Sequence, residues 1–71
     1  MSFSYHTGKT ILVRSATPGD IKKGILLSQP YKREGYNIRY VDVRLDGGVR
    51  QVSINRIIKD KGMLREYGCE Y

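Results

Sequence analysis

Arg39, Arg44, Arg50 and Arg56 recur through the second half of this chain, with Tyr31, Tyr36 and Tyr40 ahead of or among them. Guanidinium groups fork onto phosphate oxygens, and a phenol ring can stack on an unpaired base for roughly 1–3 kcal/mol, so these residue types together suit a nucleic-acid backbone and its bases. Lys22, Lys23, Lys32 and Arg33 add charge in or beside loops that a small sheet gathers at one end. Thirteen Lys and Arg stand against seven Asp and Glu, a net charge of +6 on 71 residues. A body this small with that charge carries a positive field over much of its surface. The field selects nucleic acid, an anionic membrane or an acidic protein face, and it makes phosphate-backbone affinity fall steeply with salt. The same residues have plainer uses, because cations keep edge strands from pairing and tyrosines fill the rim of a core.

Patterns that would carry catalysis lack their partners. Thr7-Gly8-Lys9-Thr10 ends like a phosphate-binding loop, but Phe3 stands where that motif needs its first glycine, and a strand-forming run rather than a helix follows. His6 is the only histidine and lies on a short polar arm, so a Ser-His-acid triad would have to be built on that arm, and a surface histidine is expected instead. Asp46 has a role in a turn, and Asp42 is expected to pair with an arginine across the sheet. Cys69 is the single cysteine, so it closes no intrachain disulfide, and Glu66 and Glu70 nearby disfavour its thiolate. With no His/Cys cluster at metal-ligand spacing, the chain reads as non-enzymatic, with no catalytic residue, metal or cofactor. No apolar run reaches membrane-spanning length and Met1–Tyr5 has neither the basic start nor the apolar core of a signal peptide, which implies a soluble, cytoplasmic protein that does not engage a membrane.

The elements that must position these side chains are short strands. At 71 residues and 39% hydrophobic, the chain is one domain near the lower limit for a self-sustaining core. Ile11, Leu12 and Val13 form a β-branched-rich run over 10–14, closed by the loop 15–20. A second strand is expected over 21–29, with Gly24 marking a bulge or sharp bend and Pro30 closing it. Residues 31–35 read as a charged connection to a third strand over 36–45. There Tyr36, Ile38 and Tyr40 share one parity and Val41, Val43 and Leu45 the other, so a bulge near Tyr40 is expected. Leu45-Asp46-Gly47-Gly48 supplies the positive φ angles of a tight hairpin into a fourth strand over 49–55, with Val52 and Ile54 on its apolar face. The alternation breaks over 55–58, predicting a single 3-10 or helical turn that presents Ile57 and Ile58 to the core. Residues 1–8 form an arm whose Phe3 or Tyr5 packs on the body. In the tail, 60–71, Met63, Leu64 and Tyr67 have helical spacing, and a helix that short must dock to persist.

Four to five antiparallel strands, a bent second strand and a one-turn helix near 55–58 resemble the small SH3-like barrels, in particular the KOW and Tudor types, over residues 8–60. Gly8-Lys9-Thr10-Ile11-Leu12-Val13 looks like the opening strand of a KOW unit, Pro18-Gly19-Asp20-Ile21-Lys22-Lys23-Gly24-Ile25 like its basic loop and second strand, and Val43-Arg44-Leu45-Asp46-Gly47-Gly48 like the opposing strand and turn. The resemblance implies an all-β binding module in transcription or translation, contacting RNA, DNA or the attached machinery. The chain departs from a Tudor reader in having no Trp and no evident tyrosine cage in its sequence.

Two functions follow. One is nucleic-acid binding, RNA or DNA, through Lys22, Lys23, Lys32, Arg33, Arg39, Arg44, Arg50 and Arg56, with Tyr31, Tyr36 and Tyr40 interleaved. The other is a basic protein-interaction module, of the kind viruses and mobile elements encode as inhibitors or adaptors, docking on an acidic face of a larger enzyme or polymerase. A continuous basic stripe with tyrosines favours the first, and dispersed charge around an apolar patch the second. The first strand, with charges only at Lys9 and Arg14, also permits a homodimer through an edge. Replacing Arg44 and Arg50 together with Ala is expected to weaken an electrostatic partner and leave folding intact, since both should face solvent. Loss of the folded state by circular dichroism would show the strand phase to be wrong.

Overall fold

The computed structural model describes residues 3–15 and 19–69. Among them, five antiparallel strands form one sheet, β1 (Thr10–Arg14), β2 (Ile21–Leu26), β3 (Tyr31–Lys32), β4 (Arg39–Leu45) and β5 (Gly48–Ser53). A 3-10 turn at Ile54–Arg56 and a short helix α1 (Lys61–Glu66) follow. The all-β expectation therefore holds, with its 3-10 turn one residue earlier than the broken alternation placed it.

β2 serves two partners. Along its length it pairs with β1, from Thr10↔Ile25 to Arg14↔Ile21, and its last two residues also pair with β4 as Ile25↔Arg44 and Leu26↔Val43. The transfer happens at Gly24, where the backbone of β2 crosses so near β4 that an added Cβ would lie 2.6 Å from Leu45 Cδ2, 2.6 Å from Val43 Cγ1 and 2.9 Å from the Arg44 carbonyl oxygen. Glycine is required here for closeness of approach rather than for a positive φ. The β1–β2 register stays unbroken through Gly24, so the feature is a bend and not a bulge.

The sheet curls until its far end meets its first strand. After the 3-10 turn, Ile57 bridges to Val13, and the Ile58 N–H donates to the Leu12 carbonyl at 2.9 Å. Ile11, Val13, Leu26, Val41, Val43, Val52 and Ile57 fill the interior. Leu12 points to the opposite side of β1 and is covered by Ile58 and Leu64, with Phe3, Ile21, Met63 and Cys69 around them. The unbroken Ile-Leu-Val run is thus explained by burial on both faces of one strand. Helix α1 exists because Leu64 docks there, Asp60 caps its start by accepting the Met63 N–H at 3.1 Å, and Gly68 at φ +74° ends it. As expected of the arm, Phe3 and Tyr5 both pack on the core, ring against ring edge at 5.1 Å.

Four expected boundaries change. β2 ends at Leu26 rather than at residue 29, Tyr31 and Lys32 form a strand instead of a loop, the strand expected from residue 36 begins at Arg39, and the one expected over 49–55 runs Gly48–Ser53. No bulge interrupts β4, whose pairing with β5 runs evenly from Tyr40↔Ser53 to Leu45↔Gly48. The irregularity lies on the neighbouring side instead. Between Leu26↔Val43 and Tyr31↔Tyr40, residues 27 to 30 oppose only Val41 and Asp42. Ser28 Oγ stands in for a backbone acceptor there, taking the Asp42 N–H at 3.0 Å, and Pro30 has no N–H to satisfy. Tyr36 and Ile38 share no face with Tyr40 through strand parity because they precede the strand.

The hairpin is a two-residue turn, with Asp46 at φ +49° and Gly47 at φ +79°, the pattern that matches the natural twist of paired strands. Replacing Gly24 with Ala should cost roughly 1–3 kcal/mol or more through forced displacement of the buried Val43 and the half-buried Leu45. Urea unfolding checks this, and an unchanged midpoint would show that the crossing has slack.

Candidate nucleic-acid interface

Cross-strand pairing fixes which side chains share a face, because residues directly opposite point the same way. Tyr40, Asp42 and Arg44 alternate with the buried Val41 and Val43, so they occupy the outer face of β4. Opposite them on β5 stand Ser53, Gln51 and Val49. On the other edge of β4, Tyr31 lies opposite Tyr40 and Ile25 opposite Arg44. Lys23, two residues before Ile25, also points outward and lines a shallow depression with Ile25 and Arg44.

A polar and aromatic cluster occupies one end of this face. Tyr31 donates its hydroxyl proton to Asp42 Oδ1 at 2.7 Å, and Gln51 Nε2 donates to the Tyr31 oxygen at 2.8 Å. Arg33 Nη1 donates to Gln51 Oε1 at 2.8 Å. The Arg33 guanidinium carbon lies 4.9 Å from the ring centre of Tyr36 and 5.6 Å from that of Tyr40, and those two rings meet edge to face at 6.0 Å. A turn brings Tyr36 back to this place: its N–H donates to the Arg33 carbonyl at 3.1 Å, with Gly35 at φ +83°. Tyr36 remains 51% exposed, so much of its ring is open to an incoming base. The hydrogen bond from Gln51 favours the Tyr31 phenolate, but the bond to Asp42, desolvation and that carboxylate's charge outweigh it and hold the hydroxyl above its usual range. It stays a neutral donor at physiological pH.

The other basic residues lie elsewhere. Arg50 is directly opposite Val43 and therefore shares the inward-facing side, as does Lys22 opposite Val13. At the lip of the curled sheet they meet Arg56, whose Nε donates to the Arg14 carbonyl at 2.9 Å. Lys22 Nζ also pairs with Asp46 Oδ2 at 2.9 Å, the only ion pair between two described residues. Lys32 and Arg39 form a third group, opposite one another at the open start of β4, where two like charges repel. The structure thus unites Lys23, Arg33 and Arg44 with Tyr31, Tyr36 and Tyr40, and separates Lys22, Arg50 and Arg56 from them. Arg44 and Arg50 are both exposed but on opposite faces of one hairpin. Their double replacement therefore probes two surfaces, which single replacements separate.

Asp42 meets Tyr31 and stands opposite Gln51, so the arginine partner expected for it is corrected. Gln51 joins the site although its residue type carries no mark of it, and the signal that places it is the two-residue hairpin, which sets it opposite Asp42. Among the described residues, no group of three or more His, Cys, Asp or Glu stands together to hold a metal ion, and no helix is long and apolar enough to cross a membrane. The chain matches no known family, no curated protein and no solved structure.

The hydrogen bond and charge of Lys22 hold the Asp46 carboxyl below the ordinary carboxylate range, with Arg50 adding to the effect. The same hydrogen bond and carboxylate charge raise Lys22, helped by Asp20 and opposed by Arg50. The Asp46 contribution to stability is therefore present above the unfolded carboxylate pKa and is lost as pH falls through the folded value. For Lys22 it is full below the unfolded lysine pKa and is lost as pH rises through the folded one. Lys22→Gln should move the Asp46 carboxyl back upward in an NMR titration. An unmoved Asp46 would show that the pair does not persist in solution.

Proposed function

We propose that this chain is a nucleic-acid-binding module that holds a single strand on the outer face of β3, β4 and β5. The observation that carries this reading is the clustering of Tyr31, Tyr36 and Tyr40 with Arg33 on the face that also presents Arg44 and Lys23. None of these three cations is ion-paired to a described carboxylate. From Tyr40 to Arg44 the face extends roughly 13 Å at the usual rise per strand residue, so a strand stacked on the aromatic end can reach the cations Arg44 and Lys23 at the other, past Asp42, whose carboxylate accepts from Tyr31. Phosphate contacts supply most of the affinity and the rings supply sequence-tolerant stacking. A KOW-like role in transcription or translation fits this binding mode and belongs to the same proposal.

A second reading draws on Ile25 and Val49, 37% and 61% exposed, which flank Arg44 across three strands. An apolar, cation, apolar row suits an acidic protein face with hydrophobic contacts at its centre. The tyrosine cluster favours nucleic acid over this alternative, because rings already shared with a guanidinium present planar surface rather than a packed apolar patch.

Fluorescence anisotropy with labelled single-stranded RNA, single-stranded DNA and duplex, each at two salt concentrations, tests the proposal. Binding should be tightest for a single strand and should weaken steeply with salt. Tyr36→Ala should lower affinity by roughly 5- to 150-fold, as expected for one lost stack. Arg44→Gln should reduce the salt slope by about one phosphate contact. Absence of binding at low salt would overturn the reading and leave the acidic protein face as the partner to pursue.

A further inference from the structure

The lip of the curled sheet holds three cations that the outer face does not use. They surround a cleft of about 330 Å³, at the small end of the range for ligand pockets. Its apolar wall is Val13, Leu45 and Val52, two of them almost fully buried, and its charged lining is Lys22, Arg50 and Arg56, with Asp46 as the one carboxylate. Three separate elements supply the cations: β2, β5 and the 3-10 turn.

Structural contacts account in part for Lys22, which pairs with Asp46, and for Arg56, which anchors on the Arg14 carbonyl, but the described residues supply Arg50 with no carboxylate partner. Arg50 occupies an inward position directly opposite the fully buried Val43, and Lys22 is opposite Val13. Aliphatic residues there would extend a core that a chain of 71 residues has reason to enlarge. Arg56 is held in place by its Nε bond to the Arg14 carbonyl at 2.9 Å, which leaves both terminal amino groups of its guanidinium for another acceptor. Asp46 answers Lys22, and Asp20 acts on Lys22 from the neighbouring loop, but Arg50 and Arg56 are ion-paired to no described carboxylate. A concave site lined by an excess of one charge concentrates its field on the opposite sign.

We infer that this cleft is a second binding site, independent of the outer face, for a phosphate monoester carrying a flat, weakly polar body, as in a nucleoside monophosphate. The phosphate lies among Arg50, Arg56 and Lys22, supplied by three separate elements, while the planar body lies against Leu45, the partly exposed member of the apolar wall, beside the buried methyls of Val13 and Val52. A free mononucleotide and the phosphorylated end of a strand share this chemistry.

Asp46 gives the test its sign. It opposes an anion by charge and by occupying Lys22, so removing its charge should strengthen binding while removing a cation weakens it. Asp46→Asn suits the purpose because Asn tolerates the φ of +49° found there. The protein is titrated with adenosine 5′-monophosphate, adenosine and inorganic phosphate, following the methyl signals of Val13 and Val52 and the guanidinium signals of Arg50 and Arg56 by NMR. The monophosphate should shift both sets and bind about tenfold or more tighter than either fragment. Arg50→Gln and Arg56→Gln should each weaken it by about tenfold, and Asp46→Asn should tighten it several-fold. Tyr36→Ala and Arg44→Gln should leave it unchanged, which separates this site from the outer face. Oligonucleotides with a 5′-phosphate and a 5′-hydroxyl, added in parallel, tell a strand end from a free nucleotide. Equal binding of phosphate and monophosphate with still valine methyls, or weaker binding in Asp46→Asn with unchanged thermal unfolding, would overturn the inference.

Discussion

The crossing of β2 over β4 at Gly24 decides how everything else in this molecule is arranged. Because no side chain intervenes at that point, one strand can pair with β1 along its length and pass its end to β4, and the sheet curls instead of lying flat. Curling brings the far end of the chain back to β1, where Ile57 meets Val13 and Ile58 meets Leu12. The interior is then closed by few residues. Among the described residues ten buried hydrophobic side chains make up the core, and of the strand aliphatics Ile25 and Val49 stand out as exposed.

That division explains how the charge is distributed. On a curled sheet, parity assigns each residue to the convex outside or to the interior, and interior positions near an open end emerge as a lip rather than a core. Arg44 and Arg50 belong to one hairpin yet serve different surfaces, because one faces with Tyr40 and the other with Val43. The short turn between them keeps Asp46 at the lip, where its carboxylate engages Lys22. Separating the cations also limits their mutual repulsion, which in a single patch would cost a small domain more of its stability.

Much of this was legible from residue order. The hairpin at Asp46-Gly47 was readable because positive φ at consecutive positions is nearly confined to such residues, and the Ile11-Leu12-Val13 strand because β-branched side chains leave few alternatives. Gly24 announced a bend, though not that the cause would be contact with Val43 and Leu45, since tertiary approach leaves no local mark. The misplaced bulge has a similar origin. Tyr36 and Ile38 looked like strand residues by alternation, but the extra residues were accommodated at Ser28 and Pro30 in the connection between β2 and β3, which only pairing reveals. The basic residues were all identifiable, and their division between faces was not, because it depends on the exact register of β5 against β4. Tyr31, Asp42 and Gln51 form a network for the same reason.

The most direct test of the outer face as a nucleic-acid surface is to map, by NMR, the amide and side-chain shifts that a single-stranded oligonucleotide produces in the folded protein. The account predicts that shifts concentrate on Arg33, Tyr36, Tyr40 and Arg44 with Lys23, and that helix α1 stays quiet. Shifts centred on α1, or none at all at low salt, would contradict it.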